Sequence, residues 1–130
     1  MYLRYAFLLL FVFMLQNVYA QDLPVKLADN TKKTVEVGKQ IQIAADLKNN
    51  QDVKQDFAYI VQIQNEDGVI VSLAWITGTL APAQSFTPAL SWIPNEEGRY
   101  EATIFVWESI NNPSALSPTL SLGIDVNQFV

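Results

Sequence analysis

Apolar and polar residues alternate with a period of two along most of the chain. Between residues 41 and 47, for example, Ile41, Ile43, Ala45 and Leu47 occupy every second position. The same alternation returns in the ranges 57–64, 69–76, 86–92, 100–107 and 120–126. Because period two is typical of half-buried β-strands, and Gly, Pro, Asn and Asp separate the ranges, the pattern predicts about seven short strands. Such strands favour an all-β fold of immunoglobulin-like architecture, an antiparallel β-sandwich.

The alternation also predicts which side chains face the core. In the range 100–107, Tyr100, Ala102, Ile104 and Val106 are expected to face inward. Phe105 and Trp107 would then lie on the outer face, together with Ile60 of a neighbouring strand. Tyr59, Trp75 and Trp92 fall at inward positions, which favours core packing over stacking against a sugar.

The first twenty residues have the pattern of a secretory signal peptide. Arg4 is followed by an apolar run, and the segment closes on Val18-Tyr19-Ala20, a small-residue cleavage pattern. We expect a signal-peptide helix over 1–20 and cleavage after Ala20, with an uncleaved anchor as the alternative. The apolar run is short for a membrane span, so no span is expected after cleavage. Residues 21–33 are interpreted as a polar leader, 34–126 as the domain and 127–130 as a C-terminal tail.

Composition excludes several functions. The 130-residue chain has no cysteine and no histidine, so it lacks disulfides, thiolate chemistry and the commonest general base. Its formal net charge of −5 and pI of about 4.5 argue against nucleic acid, which is bound through Lys and Arg. An exported domain without disulfides must be held together by packing, and this suits prokaryotic export. We therefore expect an exported, extracellular or envelope protein that is not an enzyme and needs no cofactor.

Two motifs carry a resemblance to a known family. The first is "VEVGKQIQIAADLKNNQ" and the second is "LAPAQSFTPALSWIPNEEGRYEATIFV". Over about residues 34–126 the chain resembles CARDB-type, immunoglobulin-like or fibronectin-III-like domains of archaeal and bacterial cell-surface proteins. The resemblance implies an adhesion or spacer module without catalytic residues. Ala83 departs from the family pattern, which has glycine there, so the turn around it is expected to have a different geometry.

The second motif contains a structural corner formed by Trp92, Pro94, Gly98 and Tyr100. Pro94 is expected to end one strand and Gly98 to let the chain reverse. Tyr100 would then start the next strand and donate its hydroxyl to a loop carbonyl, as in a tyrosine corner.

Acidic and amide side chains offer two further candidate sites. The carboxylates of Glu96, Glu97, Glu101 and Glu108 are interpreted as solvated charges, because the first two splay apart in a turn and the others lie too far apart for a catalytic pair. Loops at one end of the sandwich carry weak calcium candidates, because carboxylate and amide oxygens are calcium ligands. These candidates are Asn49, Asp52, Asp56, Asn111 and Asn112. The same residues are also ordinary in turns.

The outward aromatic residues give the sharpest hypothesis. Ile60, Phe105 and Trp107 would form an apolar patch of the kind that binds a partner. The alternatives are that the leader 21–33 folds over the patch, or that a one-residue bulge reverses the two faces. The sequence thus favours a non-catalytic interaction or adhesion module that presents loops and an outer sheet face. Its partner would be a protein or polysaccharide at the cell envelope, or another copy. A calcium-binding or small-ligand-binding exported protein is the alternative.

Overall fold

The computed structural model describes residues 23–128 as a sandwich of two β-sheets. The expected signal peptide lies outside the described residues. Ten strand segments follow in order: β1 (Val25–Asp29), β2 (Thr34–Glu36), β3 (Ile41–Asn49), β4 (Gln55–Gln64), β5 (Ile70–Leu80), β6 (Ser85–Phe86), β7 (Ala89–Trp92), β8 (Gly98–Ser109), β9 (Asn112–Ala115) and β10 (Leu120–Asn127). The predicted all-β, immunoglobulin-like sandwich is confirmed.

The smaller sheet is built around β3. Strand β1 pairs antiparallel with one edge of β3, and β6 and β7 pair with the other. Strands β6 and β7 are two halves of one strand that is interrupted at Thr87 and Pro88. A proline cannot donate a ladder hydrogen bond, which explains why the strand is interrupted there and lies at a sheet edge.

The larger sheet has the strand order β2-β10-β8-β4-β5, with β9 paired to the end of β8. All of its pairs are antiparallel except β2 with β10, which is parallel. Strand β5 therefore forms one edge of this sheet. The ladder between β4 and β5 contains one register shift, because Ile63 pairs with Ser72 whereas Gln64 pairs with Ile70. This is the signature of a β-bulge in β5.

The leader predicted for residues 21–33 is wrong, because this segment contains a strand of the sandwich. Val25 is buried in the core, and its N–H donates to the Leu116 carbonyl at 3.1 Å. Buried Thr31 then carries the chain from one sheet to the other, where β2 begins. Its hydroxyl donates to the Ala44 carbonyl and accepts from the Ala44 N–H, each at 2.8 Å. The sequence pattern does not reveal this strand, because β1 lies at a sheet edge and an edge strand can carry polar side chains.

The core fills the space between the inner faces of the two sheets. Its members alternate along their strands, as Ile41, Ile43, Ala45 and Leu47 do in β3. Tyr59 is fully buried, and its hydroxyl donates to the Ile43 carbonyl at 3.0 Å, which ties β4 of one sheet to β3 of the other. Burial of the phenol raises the pKa of Tyr59 well above its usual range.

Candidate functional site

The outer face of the larger sheet carries an apolar surface at the centre of the strands. In the ladders, Ile60 of β4 pairs with Trp75 of β5 on one side and with Phe105 of β8 on the other. Cross-strand partners share a face, so these three side chains lie side by side. Ile60 is only 6% exposed, whereas Trp75 is 53% exposed. Ile60 is therefore the floor of the surface, and the aromatic side chains are its walls.

These residues line a shallow groove, which we call the outer-face groove. It is lined by Ile60, Gln62, Leu73, Trp75, Phe105, Trp107 and Ile110. The rings of Phe105 and Trp107 pack against each other with their centroids 5.9 Å apart. Gln62 is the one amide side chain in this lining, and the indole N–H groups of Trp75 and Trp107 are its other side-chain hydrogen-bonding groups. The groove can therefore bury apolar groups of a ligand but offers little hydrogen bonding.

The structure places Ile60, Phe105 and Trp107 on the outer face, where the alternation predicts them. Trp75 was expected in the core, and this expectation is wrong. Its neighbour Ile76 pairs with buried Tyr59 and packs against the core, so Trp75 must point outward. The segment "VIVSLAWI" is apolar on both faces, and period two alone could not tell which face is inner. Leu73 lies on the same face of β5 as Trp75 and was missed for the same reason. Ile110, which follows β8 in the turn to β9, also lines the groove.

The leader does not cover the outer-face groove as far as the structure describes it. Val25 and Leu27 of β1 instead pack against the core from the smaller sheet. Leu23, the first described residue, is exposed. Self-cover by these side chains is therefore wrong, because β1 pairs with β3 on the opposite side of the sandwich.

The predicted tyrosine corner is present and is structural. The Tyr100 hydroxyl donates to the Glu96 carbonyl at 2.9 Å, and the Trp92 and Tyr100 rings meet edge to face at 4.9 Å. Pro94 is fully buried, and Gly98 has a φ of 143°, which favours glycine. Burial, with smaller contributions from the Glu96 and Glu66 carboxylates, raises the pKa of Tyr100. Trp92 thus packs against this corner at the edge of the core, as expected.

Asn49, one of the calcium candidates, is a structural residue. It is completely buried, and its side-chain amide donates to the carbonyls of Val53, Leu80 and Ala81 at 2.8, 3.4 and 3.1 Å. Its side-chain oxygen accepts from the Gln51 N–H at 3.1 Å. The amide is therefore fully used in closing the loop between β3 and β4. It is not available to a metal ion.

Of the other four calcium candidates, two lie together in one surface pocket and two do not. Asp56 and Asn112 line one shallow surface pocket with Glu108, where Asp56 accepts from the Thr79 hydroxyl at 2.7 Å and Asn112 donates to Glu108 at 3.0 Å. Asp52 and Asn111 are exposed and are not part of this lining. Among residues 23–128, no group of three or more Asp, Glu, His or Cys side chains is placed to hold a metal ion.

The glutamates of the second motif are all exposed, as their interpretation as solvated charges requires. Glu96 and Glu97 line a surface pocket with Glu66 and Asp67 of the β4–β5 turn. Sequence spacing did not reveal this neighbourhood, since the turns are thirty residues apart in the chain. One Glu66 oxygen accepts from the Arg99 N–H at 3.1 Å, so the cluster is partly engaged in joining the two turns.

No helix in the described range is long and apolar enough to cross a membrane.

Solved structures with the same fold include CARDB domains. The crystal structure of a CARDB domain from Pyrococcus furiosus in complex with di-metal ions is 20% identical, with a TM-score of 0.63. It covers 83% of this chain and 94% of that one. A solution structure of the same domain has a TM-score of 0.61 and 19% identity. The resemblance to CARDB domains is confirmed for the fold.

Two enzymes also contain a similar domain. A β-glucosidase from Listeria innocua in complex with gluconolactone has a TM-score of 0.64 and 14% identity, covering 82% of this chain but 16% of the enzyme. An alkylpurine DNA glycosylase from Pseudomonas fluorescens has a TM-score of 0.59 and 12% identity, covering 81% of this chain and 31% of that one. These likenesses concern one part of each enzyme, and at such identities they show the fold alone.

The family comparison agrees with the position of the sandwich. No curated protein sequence is similar to this chain. The sequence model of the S-layer A-like family, however, matches residues 23–120, from two residues before β1 to the first residue of β10. The match covers most of the chain and includes residues 23–33 of the segment interpreted as a leader. The chain therefore belongs to the S-layer A-like family.

Proposed function

We propose that this protein is a non-catalytic interaction module of the cell surface that binds a protein partner through the outer-face groove. The observation that carries the proposal is the half-exposed Trp75 beside Phe105 and Trp107 over the buried floor of Ile60. Aromatic side chains gathered around an apolar centre are typical of the residues that dominate binding energy at interfaces. Loops at the end of the sandwich would form the polar rim of the contact.

The chemistry of the groove favours a protein over a polysaccharide. Sugar recognition needs several donors and acceptors beside the stacking rings, because each buried hydroxyl must keep a hydrogen bond. The lining offers one amide, Gln62, and the indole N–H donors of Trp75 and Trp107, so Gln62 carries its one side-chain acceptor. A protein surface with aliphatic or aromatic side chains would satisfy this lining without leaving polar groups unpaired.

Family membership and the N-terminal segment support the location. S-layer A-like and CARDB-type domains are modules of cell-surface proteins, and residues 1–20 have the pattern of an export signal. The protein would be exported, released from its signal after Ala20, and retained at the envelope through the groove. The chain would then act by rigid presentation of one sheet face rather than by chemistry.

The proposal is tested with Trp107→Ser and a matched control, Ile93→Ser. Ile93 is another exposed apolar residue, 52% exposed, and it does not line the groove. We expect the wild-type protein and the control to sediment with isolated envelope and Trp107→Ser to stay mainly in solution. Circular dichroism and melting must show that both variants remain folded.

Pretreatment of the envelope distinguishes the class of partner. Protease should abolish retention, whereas periodate, which oxidises sugar diols, should leave it unchanged. Equal retention of Trp107→Ser and the wild-type protein would contradict the role of the groove. Loss of retention after periodate alone would indicate a polysaccharide partner instead.

Calcium or small-ligand binding at the loops is the second candidate function. One observation favours it: Asp56, Glu108 and Asn112 meet in one pocket, and the similar CARDB domain was solved with di-metal ions. Against it stands the small number of carboxylates there, since calcium takes six to eight oxygen ligands. A melting temperature that is unchanged between excess calcium and a chelator would eliminate this candidate.

A further inference from the structure

Strand β5 is an edge strand whose protection against pairing is confined to the β-bulge between Ile70 and Ser72, at its beginning. It has eleven residues, "IVSLAWITGTL", with no charged residue and no proline. Its outer edge has no strand partner among residues 23–128. Long, apolar, uncharged edges are templates for pairing with another chain, and native proteins normally block them with charges, proline or short length.

The other sheet edges in the described range are blocked in this way. Strand β1 carries Lys26 and Asp29. The edge formed by β6 and β7 is interrupted at Pro88, and β2 has only three residues. Only the β5 edge combines length with the absence of charge, so it is the edge suited to pairing.

The hydrogen bonds of the sheet show which backbone groups β5 presents at this edge. In antiparallel ladders, successive residues direct their N–H and C=O to opposite edges. The Val106 carbonyl accepts from the Leu116 N–H at 2.8 Å, on the edge of β8 opposite β4. The backbone N–H and C=O of Val106 therefore point away from its ladder partner Tyr59, so the two residues form a pair without mutual hydrogen bonds. The backbone N–H and C=O of Tyr59 then point the other way, to Ile76 of β5.

It follows that the neighbours of Ile76 direct their backbone groups to the outer edge. Trp75 and Thr77 do so, and by the same alternation Leu73 does as well. The side chains of these three residues lie on the outer face, next to or within the groove. Trp75 is also the middle residue of Ile70–Leu80.

We propose that two copies of this chain pair antiparallel through β5, with the two-fold axis beside Trp75. This inference goes beyond the proposed function, since it concerns the free edge of β5 rather than the groove beside it. Full overlap of two such strands places Trp75 opposite its counterpart and Leu73 opposite Thr77. All three positions then exchange backbone hydrogen bonds, six in total by the antiparallel pattern.

The strand is its own complement in this register. A large side chain meets a smaller one where Leu73 faces Thr77 on the outer face and where Ile76 faces Ala74 on the inner face. No like charges meet, although the chain as a whole carries a net charge of −5. The two outer-face grooves become neighbours on one continuous sheet, and each Trp75 covers the other.

The size of the contact predicts a reversible dimer. Eleven residues at about 3.3 Å each make a strand about 36 Å long, and its edge would bury on the order of 500 Å² per copy. Stable complexes bury about 800 Å² per partner, so this contact belongs to the weak, transient class. Concentration at a cell surface would favour it.

Cysteine cross-linking tests the register, because the chain contains no cysteine of its own. The protein is purified after export, and Leu73→Cys is mixed with Thr77→Cys under mild oxidation. In the proposed pair the Cα atoms of these positions lie about 5.5 Å apart, within disulfide range. In either variant alone, identical cysteines lie about 13 Å apart, four residues along the strand.

We expect cross-linked dimer in the mixture to exceed that of either single variant several-fold. Sedimentation velocity from about 1 µM to about 300 µM should show a monomer–dimer equilibrium in the wild-type protein. Trp75→Lys should abolish the dimer, and an equimolar mixture of Trp75→Lys with Trp75→Glu should restore it. Ile93→Lys, which adds the same charge away from the edge, should leave it intact.

A monomer at all these concentrations, or equal cross-linking in the single variants and the mixture, would overturn the proposal. The envelope experiment with Trp107→Ser is independent of this result. If the protein stays monomeric and that variant still loses retention, the groove binds a different protein and only self-pairing fails. If retention is unaffected but the cross-link forms, self-pairing stands without envelope binding.

Discussion

Ala83→Gly is expected to stabilise the domain. Residues 81–84 form a β-turn in which the Gln84 N–H donates to the Ala81 carbonyl at 3.1 Å, with Pro82 at the second position. Ala83, at the third position, has a φ of 60°, the left-handed value that a type II turn requires. The expected change of geometry at Ala83 is therefore wrong, because the surrounding hydrogen bonds hold the alanine in the conformation that glycine prefers.

The change in the free energy of unfolding caused by Ala83→Gly is the difference between two opposing effects. A left-handed backbone costs an L-residue about 1–2 kcal/mol, which glycine avoids. Glycine loses more backbone freedom on folding, which costs about 0.5–1 kcal/mol. Ala83 is exposed, so removal of its methyl group leaves no cavity. The net gain in the free energy of unfolding is about 0.5–1 kcal/mol, or a rise of about 2–5 °C in Tm.

Urea unfolding followed by tryptophan fluorescence measures this gain. Ala81→Gly is the matched control, since Ala81 is exposed in the same turn and does not have a positive φ. The control should lower the free energy of unfolding by about 0.5–1 kcal/mol. If Ala83→Gly destabilises the protein as much as the control does, Ala83 is not in the left-handed region and the reasoning fails.

Two further predictions concern buried polar groups. Asn49→Ala should lower the free energy of unfolding by about 2–4 kcal/mol in urea titrations, because it leaves buried loop carbonyls without donors; a loss below that of an exposed control such as Asn111→Ala would contradict this role. Tyr59→Phe should cost about 1–2 kcal/mol by removing the donor to Ile43. Because burial raises the pKa of Tyr59 above its unfolded value of 10.0, its contribution is complete below pH 10 and is lost as pH rises beyond it. The wild-type protein should therefore lose stability above pH 10 more steeply than Tyr59→Phe, and parallel melting profiles would refute the assignment.

Local signals in the sequence were sufficient for the sandwich and for the corner. The corner depends on residues within one turn, because the Tyr100 hydroxyl donates to the carbonyl of Glu96, which is close to it in the chain. Phe105 and Trp107 were placed outward because β8 is apolar on one face and mixed on the other. In both cases, neighbours in sequence carry the information.

The wrong predictions for β1, Trp75 and Asn49 share a physical cause. The local sequence pattern leaves their environment open, and contacts with segments far away in the chain decide it. Strand β1 was interpreted as a leader because an edge strand can carry polar residues on either face. Trp75 was assigned to the core because β5 is apolar on both faces, and only its ladder with β4 shows that Ile76 points inward. Asn49 has the residue type of a calcium ligand, but it is buried and its amide donates to loop carbonyls.

The sequence by itself determined the fold class, the alternating core and the outward direction of two aromatic side chains. These follow from period two and from turn residues, which act over a few neighbouring positions. Only the tertiary structure decided that Trp75 joins them, that β1 closes the smaller sheet, and that β5 is left as an unpaired edge among the described residues. Those features depend on which strand lies beside which, and such neighbours are set by packing between residues far apart in the chain.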